Sequence, residues 1–128
     1  MLRIGIGSGA AIAQNRVFTD LFSIAANADL YHWEKLRDGV EIYYLYQTLD
    51  GPSAALIKYA VGAQVPLHTH QGYEHIFVLN GSQSDDVGDY QAGTLAINAP
   101  GSQHRVKSPQ GCIVLAIWER PVAFLSHE

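Results

Sequence analysis

The chain carries one cysteine, Cys112, among 128 residues, so no disulfide can form within it. Charge is scarce as well. Asp, Glu, Lys and Arg make up 16% of the residues, against a usual ~25%. Charged side chains normally cover exposed surface, so their shortage predicts apolar surface that faces a second subunit or lines a pocket. A homodimer is the expected assembly. The eight basic residues are scattered and the net charge is −4, which argues against nucleic acid as a partner. No apolar run approaches the ~18 residues that a membrane-spanning helix needs. Repeats, low-complexity tracts and charge blocks are lacking too. This length can bury one core without staples, and Cys112 reads as a packed small apolar residue on a strand face with Val114, Ala116 and Trp118.

Residues 1–30 read as an N-terminal extension and 31–128 as the main body. Met1-Leu2-Arg3 and the Ile/Gly/Ala-rich stretch after it loosely resemble a secretion signal, but Gly5, Gly7, Ser8 and Gly9 interrupt the apolar part. A strand over 2–6 accounts for the same residues, and the chain is expected to be cytoplasmic. Phe18, Leu21, Phe22 and Ala25 follow helical spacing and predict a short helix starting near Thr19 or Asp20.

From Trp33 onward the text alternates strands and turns. Val40 to Tyr46, Ala54 to Ala60, Thr94 to Asn98 and Cys112 to Glu119 read as strands. Asp50-Gly51-Pro52 reads as a turn and Asn80-Gly81 as a hairpin turn. Turn signals every 8–14 residues predict an all-β jelly-roll barrel. Alternation places Tyr44 and Tyr46 on one face, where they could line the barrel mouth, although aromatic residues mainly serve packing.

One pattern carries chemistry. The chain reads Gly62-x5-His68-x-His70-x3-Glu74-x6-Gly81, then Gly93-x7-Gly101-x2-His104. Val65 to Leu79 reads as a strand or a hairpin arm, whose period of two puts His68, His70, Gly72 and Glu74 on one face. Gly72 permits a bend that would bring the carboxylate onto the same centre as the imidazoles. His104 follows the turn Pro100-Gly101-Ser102 and closes the site from another strand. Three imidazoles and a carboxylate suit one divalent ion per chain, whether Fe, Mn, Ni, Cu or Zn. Four protein ligands leave positions open on a five- or six-coordinate ion, as a catalytic or ligand-sensing metal requires. His32, His75 and His127 fall outside the pattern and read as ordinary histidines, His75 on the face opposite Glu74. Asp85, Asp86 and Asp89 could bind a cation, but Asp among Gly reads first as a solvated turn.

These residues resemble the cupin superfamily. Gly62, His68, His70, Glu74 and Gly81 match its first motif at every defining position. Gly93, Gly101 and His104 match the second, with Ala99 where Pro is usual and Ser108 where Asn is usual. The text from Gly81 through Asp85, Gly88, Tyr90 and Gly93, then Pro100-Gly101-Ser102-x-His104 and Ser108-x2-Gly111-Cys112, is similar to the cupin domain of ChrR-type anti-sigma factors over residues 30–120. The resemblance implies a single RmlC-like barrel holding a divalent metal at His68, His70, Glu74 and His104. It implies either chemistry on a small organic molecule, of dioxygenase or other metal-assisted type, or a metal-binding sensor without catalysis. In a catalytic reading, Tyr44, Tyr46 or Gln103 could supply a proton-transfer group. ChrR-type proteins also carry a zinc-binding N-terminal portion with His and paired Cys, and residues 1–30 contain neither. Only the barrel is therefore implied here.

Overall fold

A computed structural model describes residues 14–125. The strand expected over 2–6 and His127 lie outside the described residues. Ten strands are described: β1 (Glu34–Arg37), β2 (Val40–Gln47), β3 (Ser53–Tyr59), β4 (Ala63–Thr69), β5 (Glu74–Ser84), β6 (Asp89–Gln91), β7 (Leu95–Asn98), β8 (Gln103–Ser108), β9 (Cys112–Trp118) and β10 (Ala123–Phe124). One curved face runs β1-β2-β3-β9 and onto the first half of β5, whose other edge pairs with β7. The opposing face consists of β10, β4 and β8, with the end of β5 and with β6. Every pairing is antiparallel, and the sheet curls into the expected jelly roll.

The barrel interior is built by alternation. Val40 and Ile42 of β2, Ala55 and Ile57 of β3, Ile76 and Val78 of β5, and Cys112, Val114 and Ala116 of β9 form one buried cluster with Val106. The face predicted for Cys112 is thus an interior face. Burial pushes its thiol up to about 11, which keeps it protonated near neutrality. The outer face of the same sheet carries a second cluster of Leu56, Leu79 and Ile113, and the N-terminal segment lays Ile24 on it.

That segment contains the expected short helix, starting at Asp20. A 3-10 turn over Leu21–Ser23 leads into α1 (Ile24–Asn27), which is one turn long and followed by another 3-10 turn. Asp20 stands at the start with a left-handed backbone (φ 61°) and no side-chain capping bond. Ile24 is buried at 1% exposure while Phe22 stays 80% exposed. Leu21 of the expected stripe packs on this cluster, while Ile24, outside the stripe, is the residue buried deepest.

Three strand readings also need correction. The run from Val65 to Leu79 is two strands on opposing faces, because β4 ends at Thr69 and β5 begins at Glu74. Asn80-Gly81 is not a hairpin: β5 continues through it, with a register shift against β9 between Val78 and Asn80. Tyr44 and Tyr46 do not share a face. A register shift against β3 between them leaves Tyr44 in the interior cluster and puts Tyr46 on the outer surface, with Tyr73, His75 and Ile117.

Gly81 is where β5 passes from one face to the other. Its φ is +76°, and a Cβ there would lie 2.1 Å from the Gly111 carbonyl oxygen and 2.9 Å from Cys112 Cα, both backbone atoms. Gly93 also has a positive φ, +92°, but nothing stands near its Cβ position. Gly93→Ala should therefore cost roughly the 1–2 kcal/mol of left-handed backbone alone. Gly81→Ala should cost distinctly more, since the β5–β9 pairing must open. Urea unfolding midpoints of the two variants compare the costs directly.

Candidate metal centre

His68 and His104 face one another across the β4–β8 ladder as a directly opposed pair. A register shift between Val65 and His68 sets that opposition. It falls at Pro66, which has no N–H to give the ladder. The ladder's line continues past β4, where the His70 N–H donates to the Ser102 carbonyl at 2.9 Å. The chain then turns through Gln71-Gly72-Tyr73 onto the other face. Gly72 is needed there because a Cβ would lie 2.7 Å from the Glu119 side chain. Glu119 holds the turn by accepting the Tyr73 N–H at 2.9 Å. Glu74 then opens β5 opposite both Asn98 of β7 and Trp118 of β9.

The four expected residues are brought together. One ligand atom from each of His68, His70, Glu74 and His104 lies within 4.8 Å of the others, and all four residues are buried. The imidazole centroids stand 4.7 Å apart for His68–His104 and His70–His104, and 5.2 Å apart for His68–His70.

Each imidazole is fixed through Nδ1. His68 Nδ1 is 2.8 Å from the Pro66 carbonyl, and His70 Nδ1 is 3.1 Å from the Ser102 carbonyl and 2.9 Å from Ser102 Oγ. His104 Nδ1 is 3.0 Å from Asp85 Oδ2. Carbonyls and carboxylates only accept, so each ring donates through Nδ1, and a ring in its neutral form presents the Nε2 lone pair to the centre. The Nε2 atoms of His70 and His104 are buried without a hydrogen-bond partner. His70 Nε2 lies 3.0 Å from Glu74 Oε1, at contact distance but without hydrogen-bond geometry.

Glu74 is held from both sides. Asn98 Nδ2 donates to Oε1 at 2.9 Å and Trp118 Nε1 donates to Oε2 at 2.6 Å. Burial alone would push its carboxyl up, but the His70 imidazole, the Trp118 bond and His68 outweigh it and hold the group below its ordinary range. Burial pulls His68 down, more strongly than its bond to Pro66 pushes it up. A buried carboxylate facing orphaned nitrogen lone pairs is the donor set of a divalent cation, and the residues fit such an ion.

Several of the residues that build the site escaped the sequence reading. Asp85, taken as part of a solvated turn, is instead the acceptor for His104. Its Oδ1 accepts from the Val87 and Gly88 N–H groups and from the Tyr90 hydroxyl, which leaves Oδ2 for the imidazole. Despite burial, which pushes it up, these bonds keep the Asp85 carboxyl below its usual range. Asp-x2-Gly reads as a turn because it is one, and nothing in sequence shows that the turn abuts His104. Asn98 and Trp118 were visible as strand residues but not as Glu74's cross-strand neighbours. Gln103 is exposed beside His104 and is set aside as a proton-transfer group. His32 is exposed, and His75 lies opposite Glu74's face, as alternation expects.

Between the two faces of the barrel is a cavity of about 600 Å³ lined by Ile42, Tyr44, Val65, Trp118 and Phe124 among others; the quartet does not line it, but two of its lining residues contact the quartet. Trp118 connects it to Glu74. Phe124, directly opposite His68 on β10, lies with its ring 5.7 Å from the imidazole.

Comparison with known proteins agrees with this architecture. Residues 23–123 match the family described as the ChrR cupin-like domain. The chain belongs to that family. No curated protein matches it in sequence. Among solved structures it is similar to ChrR in the complex of Rhodobacter sphaeroides SigE with that anti-sigma factor (TM-score 0.64, 22% identity, 84% of this chain and 70% of the other). It is also similar to an acetylacetone dioxygenase from Acinetobacter johnsonii (0.71, 13%, 92% and 80%). A third similar structure is a protein of unknown function with a cupin-like fold from Ralstonia eutropha (0.64, 21%, 70% and 60%), so the chain spans 60% of that protein's length. At these identities the likeness is one of fold.

Removing the Glu74 carboxylate should leave Trp118 Nε1 and Asn98 Nδ2 without their acceptor. In metal-free protein, Glu74→Ala should lose ~1–3 kcal/mol per orphaned donor, read from denaturant unfolding. Glu74→Gln, which keeps one acceptor, should lose less.

Proposed function

We propose that this domain binds one divalent ion through His68, His70, Glu74 and His104 and acts on a small organic molecule that reaches the ion through the adjoining cavity. The observation that carries the reading is the pair of buried, unpartnered Nε2 atoms on His70 and His104 facing a carboxylate held in its charged form. Bound there, a divalent ion supplies Lewis-acid or redox chemistry. The protein's own contribution is orientation and exclusion of water. The Nδ1 bonds fix the three rings, Asn98 and Trp118 fix the carboxylate, and Ile42, Val65 and Phe124 give the cavity an apolar wall. Tyr44 is one of the hydroxyl-bearing side chains, with Thr48 and Ser53, that line the cavity and could meet a substrate there.

Elemental analysis after mild reconstitution should give one ion per chain. A His68→Ala/His70→Ala double variant should retain none. Asp85→Asn should fold but bind the ion ~10–100-fold more weakly, because His104 loses the carboxylate that orients it. Acetylacetone, which chelates through two oxygens, should shift the visible spectrum of the Co(II)-loaded protein. A spectrum indifferent to every small chelator would mean that protein atoms enclose the ion, and would end the catalytic reading.

Family membership supports a second reading, a metal-binding regulatory module. Turnover of a small molecule by the reconstituted protein separates the two, since a regulatory module binds without turnover.

Pairing of two chains also belongs to this proposal. The outer face of the sheet exposes Leu95 (55%) and Ile97 (57%), with Tyr46, Tyr73 and Ile117 beside them. Light scattering at micromolar concentration should give twice the 14.0 kDa chain mass.

A further inference from the structure

The cavity between the two faces of the barrel contains a cation that the described residues leave unanswered. Arg37 ends the edge strand β1, where the register against β2 shifts between Lys35 and Arg37. Its side chain lines the cavity together with Leu36, Ile42, Val65 and Phe124. Arg37 Nε is buried and has no hydrogen-bond partner. Among the described residues the guanidinium forms no ion pair, and its close aromatic contact is the Phe124 ring, 5.0 Å from Cζ. Asp50, a carboxylate also lining the cavity, lies 3.9 Å from Arg120.

A buried guanidinium nitrogen without an acceptor is costly, and the group is always charged. Its planar fork of donors matches a carboxylate better than any other small anion-bearing group of a metabolite except phosphate. The walls of the cavity are largely aliphatic and aromatic, which suits a carbon skeleton between polar ends. Phe124 touches both Arg37 and His68, and Trp118 lines the cavity while bonding Glu74. A molecule filling this space would thus have one end at Arg37 and the other toward the histidines.

We propose that Arg37 is the anion-recognising residue of this cavity and that the domain's ligand is a small organic acid. Its carboxylate pairs with Arg37, its apolar body lies against Phe124 and Ile42, and its opposite end carries the oxygen atoms that face the metal centre. The location of that opposite end rests on the metal reading above. The role of Arg37 does not.

The test is a titration of the 15N-labelled protein, both Zn(II)-loaded and metal-free, with butyrate and with uncharged, equally sized butanamide. The Arg37 Nε–Hε resonance is the reporter. Butyrate should shift it saturably in both forms, and butanamide should bind roughly tenfold more weakly or not at all, the difference expected of a charge-assisted pair. Arg37→Gln, similar in polarity but uncharged, should weaken butyrate binding by roughly the same factor. A reporter that butyrate leaves unmoved in both forms overturns the proposal, as does undiminished butyrate affinity in Arg37→Gln. Should the variant fail to fold, the wild-type resonance decides. Failure of the protein to take up zinc, with the metal-free resonance still responding, would sink the metal reading and leave Arg37's role standing.

Discussion

Everything at the centre hangs on one strand belonging to two sheet faces. The first half of β5 pairs with β7 and β9, and its end pairs with β6 and β8. The passage is possible because Gly81 brings its backbone against the Gly111 carbonyl, closer than any side chain permits. At one end of this strand stands Glu74. Just past the other end comes Asp85, the acceptor for His104. One continuous strand therefore delivers the carboxylate of the quartet and the carboxylate that positions an imidazole of the quartet, from opposite directions. A side chain at position 81 would disturb both.

The interior so formed is polar at one place and apolar elsewhere, and the two parts support one another. A buried carboxylate is unstable in an apolar barrel unless donors surround it. Glu74 has Asn98 and Trp118 beside it in the ladder and His70 across the corner, and these outweigh the upward push of burial and hold its carboxyl below the ordinary range. The neighbouring core of Val78, Val114 and Ala116 is fully buried and contributes no competing acceptor side chain. On the outside, the N-terminal segment docks Ile24 over Leu56, Leu79 and Ile113, sealing the sheet that carries β5 and β9.

The quartet was legible in the sequence because two short motifs hold it, and period-two alternation is a strong signal. The all-β barrel was legible because turns punctuate the chain regularly. What alternation could not supply were its interruptions. A bulge at Tyr44–Tyr46 sends the second tyrosine outward, one at Val65–His68 aligns His68 with His104, and one at Val78–Asn80 turns a supposed hairpin into a continuous strand. A bulge adds one residue to one strand, and its location depends on the strand opposite. Asp85 and Trp118 were hidden for a related reason. Each acts through a neighbour 19 or 44 residues away in sequence, and adjacency across a sheet is not written in local text. The N-terminal helix was legible from its spacing and its start at Asp20, and Leu21 packs as the stripe expects, although Ile24 is the residue the sheet buries deepest.

The means by which the three imidazoles are oriented differ in their exposure to mutational change. His68 directs Nδ1 at the main-chain carbonyl of Pro66, which no point substitution can delete, and His70 directs its own at both the carbonyl and the hydroxyl of Ser102. His104 directs its own at the side chain of Asp85. A single substitution at position 85 can therefore retune the basicity of His104, while His68 stays as the backbone sets it and His70 keeps a main-chain acceptor whatever stands at position 102. Position 85 is thus the point at which one side chain gives graded control over the centre, and the two carbonyls hold the other rings while it changes.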